Sequence, residues 1–191
     1  PRLTGYTESG QYILSTTDPN QFERLGNGLP KGEFGFANSF MYGQWTLNVF
    51  LRGTWGHDLY NSYRGFYENA DPASNTWNSV VTDKTPTSPL VTSTPTFNSS
   101  YVEDASFIRL DNMELGYNVK TKSPNLSTLR FYLAAQNLFT LTNYTGIDPE
   151  VRVNDSENGD AFTTSLSPGI ERRNTYFQTR SFTLGVTVNF K

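Results

Sequence analysis

The sequence contains no cysteine, which excludes disulfide staples, thiolate metal sites and a cysteine nucleophile. Histidine occurs once, as His57, so a zinc site of the usual His and Cys composition is excluded as well. Charge is scarce. Asp, Glu, Lys and Arg make up 17% of the chain, and the net charge of −3 comes with no basic stripe, which argues against a nucleic-acid partner. No run of about 18 apolar residues occurs, so a transmembrane helix is excluded. A membrane β-barrel is not, because its strands alternate and leave the average hydropathy polar. No G-x-S-x-G, P-loop or G-x-G-x-x-G is found, and an enzyme is the least supported class. The chain opens Pro1-Arg2 without an initiator Met, a basic n-region or an apolar h-region, which suggests a processed piece or one lacking its N-terminal part.

What the sequence does have is aromatic residues, 15% of the chain with 14 Phe, 11 Tyr and 3 Trp, although only 36% of residues are apolar. They fall within a period of two. From Ser181 to Phe190 every even position is apolar and every odd one small or polar, a strand long enough to cross a hydrocarbon core when tilted. Leu129, Phe131, Leu133, Ala135 and Phe139 keep one phase, as do Trp45, Leu47, Val49 and Leu51, with Phe50 as the exception. Phe34, Phe36, Phe40 and Tyr42 form another phase, broken by Asn38. Between Phe107 and Val119 the phase changes: Ile108 and Leu110 lie in one, Met113, Leu115, Tyr117 and Val119 in the other. That slip predicts a bulge, or a crossing that begins only near Asn112.

The connections alternate in length. Tyr42-Gly43-Gln44-Trp45 and the stretch from Lys120 to Ser127 are short turns, whereas about fifty residues separate Trp55 from Phe107 and roughly thirty-five separate Thr140 from Tyr176. Loops that long are uncommon in compact soluble domains, while short turns on one side and long loops on the other mark outer-membrane barrels. Tyr42, Trp45 and Phe190 fall at the short-turn ends; Trp55, Tyr60, Phe139, Tyr144, Tyr176 and Phe177 fall at the long-loop ends, as two aromatic girdles would. Aromatics also mark strand ends in soluble sheets. Five strands cannot close a barrel or leave bare edges in lipid, so the chain is expected to pair with strands outside it. Residues 1–32 supply few: Gln11 to Ser15 reads as a short strand and Thr17 to Lys31 as loop.

Three passages carry a family likeness. Ala105-Ser106-Phe107-Ile108-Arg109-Leu110-Asp111-Asn112-Met113-Glu114-Leu115-Gly116-Tyr117 is followed by Leu129-Arg130-Phe131-Tyr132-Leu133-Ala134-Ala135-Gln136-Asn137-Leu138-Phe139-Thr140, then by Gly146-Ile147-Asp148-Pro149-Glu150-Val151. In order and spacing they resemble the end of the SusC/RagA-type TonB-dependent outer-membrane transporters. The likeness is strong over residues 101–191, fainter over 33–60 and poor before residue 33. It implies an all-β fold, the C-terminal strands (about five) of a large transmembrane antiparallel β-barrel. It further implies residues 1–32 as an extracellular loop or preceding connection, and residues 33–191 as barrel strands with extracellular loops 56–106 and 141–175. In that family a barrel of about twenty-two strands surrounds a plug, a SusD-like lipoprotein caps the mouth, and the TonB complex supplies energy for import of oligosaccharides or peptides across the bacterial outer membrane. The plug and the TonB-contacting part are expected outside these residues. Thr183, Gly185, Val188 and Phe190 resemble the barrel-assembly signal of such strands, with Lys191 a small departure.

Candidate contacts with substrate or partner are Tyr60, Tyr63 and Trp77 in the first long loop, with Phe66 and Tyr67 beside them, and Arg172, Arg173 and Tyr176 near Asn174 at the end of the second. The aromatics can stack on sugar rings or pack within the loop, and the arginines can hold a ligand or clamp the loop. His57 reads as a rim residue. Asp148, Glu150, Asp155, Glu157 and Asp160 read as a solvated acidic stretch before a calcium site. No cofactor and no metal is expected. Two other readings fit part of the pattern: a passive structural barrel wall, and a soluble all-β glycan-binding module with the long loops as its binding face.

Overall fold

The computed structural model describes residues 1–68, 80–85, 96–150, 168–173 and 176–191. In chain order its elements are β1 (Leu3–Tyr6), β2 (Tyr12–Leu14), β3 (Gly32–Tyr42), β4 (Trp45–Trp55), β5 (Asp58–Asn61), α1 (Ser62–Tyr67), β6 (Val102–Asp104), β7 (Phe107–Val119), β8 (Leu126–Thr142), β9 (Ile170–Glu171) and β10 (Ser181–Phe190), with single 3-10 turns at Pro19–Gln21 and Ser99–Tyr101. They fall into two units. One comprises residues 32–55, 107–142 and 177–191, the other residues 1–31, 56–106 and 143–176. Among the described residues no helix is long and apolar enough to cross a membrane.

The five period-two segments form one antiparallel sheet in the order β10-β8-β7-β4-β3. Its register brings the apolar phases into line. Leu184 faces Leu133, which faces Leu115, then Leu47, then Phe40, so one apolar row runs across all five strands. The next row carries Val186, Phe131, Tyr117, Trp45 and Tyr42. These side chains share one face because directly opposed residues in a pleated sheet point the same way. That face is open: Leu184 is 79% exposed and Phe182 66%.

The phase slip predicted in β7 is a bulge. Phe50 pairs with Asn112 and Leu51 with Leu110, so Asp111 is the extra residue. Opposite, Asn137 and Leu138 of β8 face the single Asp111, and Asn137 takes a φ of 51°, a left-handed conformation that Asn tolerates better than most residues. The extra residue turns Ile108 and Leu110 onto the same face as Met113 and Leu115. Arg52 closes an ion pair on Asp111.

The other face is polar. Arg130 Nη2 donates to Glu114 Oε1 (2.6 Å) and to Thr46 Oγ1 (3.1 Å), Arg109 Nε donates to Thr140 Oγ1 (3.0 Å), and Ser39 Oγ donates to Asn48 Oδ1 (2.7 Å). The sheet is therefore amphipathic from one edge to the other. Gly185 stands on this polar face opposite Tyr132, whose ring occupies the space a Cβ would need. Gly185→Val should push Tyr132 off its place and cost about 1–3 kcal/mol. A fall in the folded fraction during urea titration of the whole protein checks this, with Val186→Ile as the tolerated neighbour. The tight turn from β3 to β4 needs Gly43, whose φ is +62°.

The second unit is built from the segments expected to be loops. Gln11 to Ser15 does hold a strand, β2, but it pairs with β1, which the alternation did not announce. The long segments form a three-stranded sheet in the order β6-β5-β9, antiparallel between β5 and β6 and parallel between β5 and β9. Asn61 Oδ1 accepts from the Arg64 amide (3.0 Å) and caps α1. Among the described residues the buried apolar cluster here is small: Leu59, Ala105 and Tyr144. Tyr60 and Tyr144 leave the girdle expected of them. Tyr144 is 6% exposed and Tyr60 stacks on Phe97 at 4.4 Å, because within this unit their rings find packing partners that a rim position would deny them. Trp55, Phe139 and Phe177 remain exposed.

Candidate functional site

Two buried carboxylates organise the second unit. Glu103, on β6, accepts from Arg64 Nη1 (2.6 Å), Lys84 Nζ (3.2 Å), Asn61 Nδ2 (3.3 Å), the Thr145 amide (3.0 Å) and Thr145 Oγ1 (2.7 Å). It thus ties α1, the segment around Lys84 and the segment after β8 into one cluster. Arg64 also donates to Glu68 Oε1 (2.8 Å) and the Ser100 carbonyl (3.3 Å), and its guanidinium lies 5.6 Å from the Tyr101 ring centroid. Burial by itself would push the Glu103 carboxyl up. Hydrogen bonds from Arg64 and Thr145, with the Arg64 charge, outweigh it and hold the carboxyl below its ordinary value. Arg64 is held above its own ordinary value by its hydrogen bonds to Glu68 and Glu103 and by their charges, against the effect of its burial.

Glu171, on β9, accepts from Tyr144 Oη (2.7 Å), the Asp148 amide (2.7 Å) and the Ile147 amide (3.2 Å). Ser62 Oγ donates to its carbonyl. Here burial wins: it raises the Glu171 carboxyl, the Asp148 carboxylate adds to the rise, and the hydrogen bonds only resist it. Burial also pushes the Tyr144 hydroxyl up.

These opposite shifts set a pH profile. Glu171 binds its proton more tightly folded than unfolded, so its contribution is fully present below the ordinary carboxyl value and is lost as pH rises through its raised value. Glu103 is the reverse, contributing above the ordinary value and failing as pH falls through its depressed one. The unit should therefore be most protected on the acid side of neutrality. Hydrogen exchange of the Ile147 and Asp148 amides checks this, and Glu171→Gln should flatten the neutral side of the profile.

The residues proposed from sequence meet these clusters unevenly. Tyr60 lines a pocket of about 310 Å³ with Phe22, Leu25, Phe97, Val102 and Ile170, a size and lining that admit an apolar side chain or one face of a sugar ring. Tyr63 Oη donates to the Arg173 carbonyl (2.7 Å), and the Arg173 guanidinium lies 3.8 Å from the Phe66 ring centroid, so Arg173 joins the second long segment to α1. Arg172 is half-buried beside it, and Tyr176 is exposed. Trp77 and Asn174, and the acidic Asp155, Glu157 and Asp160, lie outside the described residues. Asp148 Oδ1 accepts from the Glu150 amide (3.0 Å). His57 is buried, its Nε2 2.9 Å from the Pro149 carbonyl oxygen, which ties it into the packing of this unit. A second cleft, of about 530 Å³, is lined by Arg24, Lys31, His57, Asp58 and Asp104. Among the described residues no group of three or more His, Cys, Asp or Glu is arranged to hold a metal ion. Thr183, Gly185, Val188 and Phe190 all lie on β10, Val188 and Phe190 toward the apolar face, Thr183 and Gly185 toward the polar one. Glu103, Arg64 and Glu171 were not singled out from sequence, where each stands as a separate charge.

Comparison with known proteins gives a consistent set. No protein-family model matches the chain. It is 28% identical over 203 residues to TonB-dependent receptor P3 of Formosa agariphila, covering 98% of the chain and 20% of that protein. It is 31% identical over 211 residues to TonB-dependent receptor P26 of the same organism, covering the whole chain and again 20% of that protein. TonB-dependent receptor SusC of Bacteroides thetaiotaomicron is 32% identical over 94 residues, 47% of this chain and 8% of its own. The chain thus spans about a fifth of the first two relatives. Among solved structures, the RagAB peptide importer in its closed-closed state superposes with a TM-score of 0.68 at 21% identity, covering 98% of this chain and 22% of that one. Its open-open state gives 0.60 at 23% identity, covering 84% and 17%. At that identity the likeness is one of fold: a segment of a large antiparallel barrel. The named relatives are receptors, none an enzyme.

Proposed function

We propose, from the premise that this chain is a barrel-wall segment of the SusC/RagA-type TonB-dependent receptors, that the whole protein imports nutrients across the bacterial outer membrane. The observation that carries the proposal is the sheet itself. Its five strands hold a continuous apolar row on one face and paired charges on the other, as a wall between lipid and a polar lumen requires. Residues 56–106 and 141–175 are the extracellular loops of that wall. A SusD-like lipoprotein is its partner there, and the TonB complex engages a part of the protein outside this chain.

The imported material is an oligosaccharide or a peptide. The aromatic pocket at Tyr60, and Tyr63 and Arg173 beside it, supply the kind of contact such solutes use. Arg172 and Tyr176 belong to the same proposed surface, and Trp77, outside the described residues, is a further proposed contact with substrate or partner. Thr183, Gly185, Val188 and Phe190 serve insertion, the exposed edge of β10 adding to an assembly machine's open seam. A soluble glycan-binding module would leave Leu184, Phe182 and their whole row in water, an unbroken patch that soluble monomers avoid.

The test uses the intact protein in its own cells. Outer membranes should yield it as a species several times larger than this chain, with a lipoprotein co-purifying. Disrupting the gene should abolish uptake of labelled oligosaccharides or of labelled peptides. A protein found only in the soluble fraction would overturn the reading.

A further inference from the structure

The wall unit does not share the acidity of the whole chain. Residues 32–55, 107–142 and 177–191 carry seven Lys and Arg against three Asp and Glu. Inside the sheet the basic groups are matched: Arg52 pairs with Asp111, Arg130 with Glu114, and Arg109 donates to Thr140. The short-turn end is different. Residues 42–45, 115–130 and 187–191 contain no Asp or Glu, yet besides Arg130 they hold Lys120, Lys122 and Lys191. The fold gathers these three. The Lys191 amide donates to the Asn125 carbonyl (3.2 Å), so the end of β10 lies against the turn that carries Lys120 and Lys122, and all three residues are exposed.

Their neighbours are the aromatics of that end. The Trp45 and Tyr117 rings pack at 4.8 Å, while Tyr42 and Phe190 are open to the surroundings. Amphipathic rings settle at the headgroup level of a bilayer, and a lysine stem long enough to run past them carries its ammonium into the phosphate layer. We propose that this end of the wall binds anionic phospholipid, with Lys120, Lys122 and Lys191 as the contacts to its phosphate. The occupant is set by charge: three cations with no acidic partner among the described residues, standing beside rings that fix the depth of the interface. The proposal rests on the reading above that the sheet spans a bilayer. Each lysine at an anionic lipid surface contributes about fivefold to binding, so three together amount to about a hundredfold.

The experiment uses the whole protein, reconstituted in vesicles of phosphatidylethanolamine with or without phosphatidylglycerol, and measures which lipid stays bound after gentle detergent extraction. Phosphatidylglycerol should be enriched over phosphatidylethanolamine by about tenfold or more, and high salt should erode the preference. The variant K120Q/K122Q/K191Q should lose it while keeping heat-modifiable migration on gels, which reports a folded barrel. Equal enrichment in variant and wild type, or none in either with the barrel folded, would overturn the lipid site alone. A protein that forms no heat-modifiable species in any bilayer would overturn the membrane reading and this site with it.

Discussion

Leu184→Arg should cost the whole protein about 2–4 kcal/mol of folding stability in a bilayer, the price of a guanidinium near the midplane on the lipid face of a barrel. Leu184 is the residue to change because it heads the row through Leu133, Leu115, Leu47 and Phe40, with pairing partners on one side and open surroundings on the face. No cavity forms and no hydrogen bond is lost, so the only term is transfer of charge from water to hydrocarbon. In a water-facing sheet the same change would fall within about 0.5 kcal/mol. The two environments therefore differ by several-fold in the expected effect. Ser39→Arg on the polar face should be tolerated far better, since Ser39 stands among Asn48 and other polar groups. Urea titration of heat-modifiable migration, run for both variants in one vesicle composition, reads the difference directly. Equal and small effects would show that the apolar face meets water.

Glu103→Ala should open the second unit while leaving the wall folded. The carboxylate is 9% exposed and gathers a guanidinium, an ammonium, an amide side chain, a backbone amide and a hydroxyl. Removing one partner of a buried pair leaves the other charge without compensation, at a cost of about 3–5 kcal/mol. The lower end applies, because Arg64 keeps Glu68. With so small a buried apolar cluster among the described residues, that loss exceeds what local packing can replace, and opening is local because stability varies across a structure. Limited proteolysis of intact cells should cut the variant within residues 56–106 or 143–176 far faster than the wild type, with heat-modifiable migration unchanged. Thr145→Val, which removes one donor and leaves the ion pairs, should have a much smaller effect. A Glu103→Ala protein as resistant as the wild type would mean that the hub contributes nothing to the unit's stability.

These two residues also mark how far the sequence can be read. Leu184 was legible, as were all five wall strands, because a strand's side-chain period is two and the pattern is written along the chain. The tight turn at Gly43 and the bulge in β7 were legible for the same local reason, the latter as a slip of phase. Glu103 was not. Its partners lie at positions 61, 64, 84 and 145, and no local period connects a carboxylate in one long segment to a guanidinium and a hydroxyl in others. The same holds for Glu171, which sequence left as an ordinary acid, and for Tyr60 and Tyr144, assigned to a girdle from their places at strand ends and found packed inside.

The sequence by itself determined that the chain is a wall of alternating strands, which face of each strand is apolar, and that strands outside it must complete the sheet. Those properties follow from the pleat and from the need to satisfy every backbone group in lipid. Only the tertiary structure decided the register that lines five apolar phases into rows, the residue that bulges to rescue the slipped phase, and the folding of the long segments into a unit held by buried carboxylates. Register and buried ion pairs depend on groups far apart in the chain meeting at a few ångströms, and that meeting is a property of the fold.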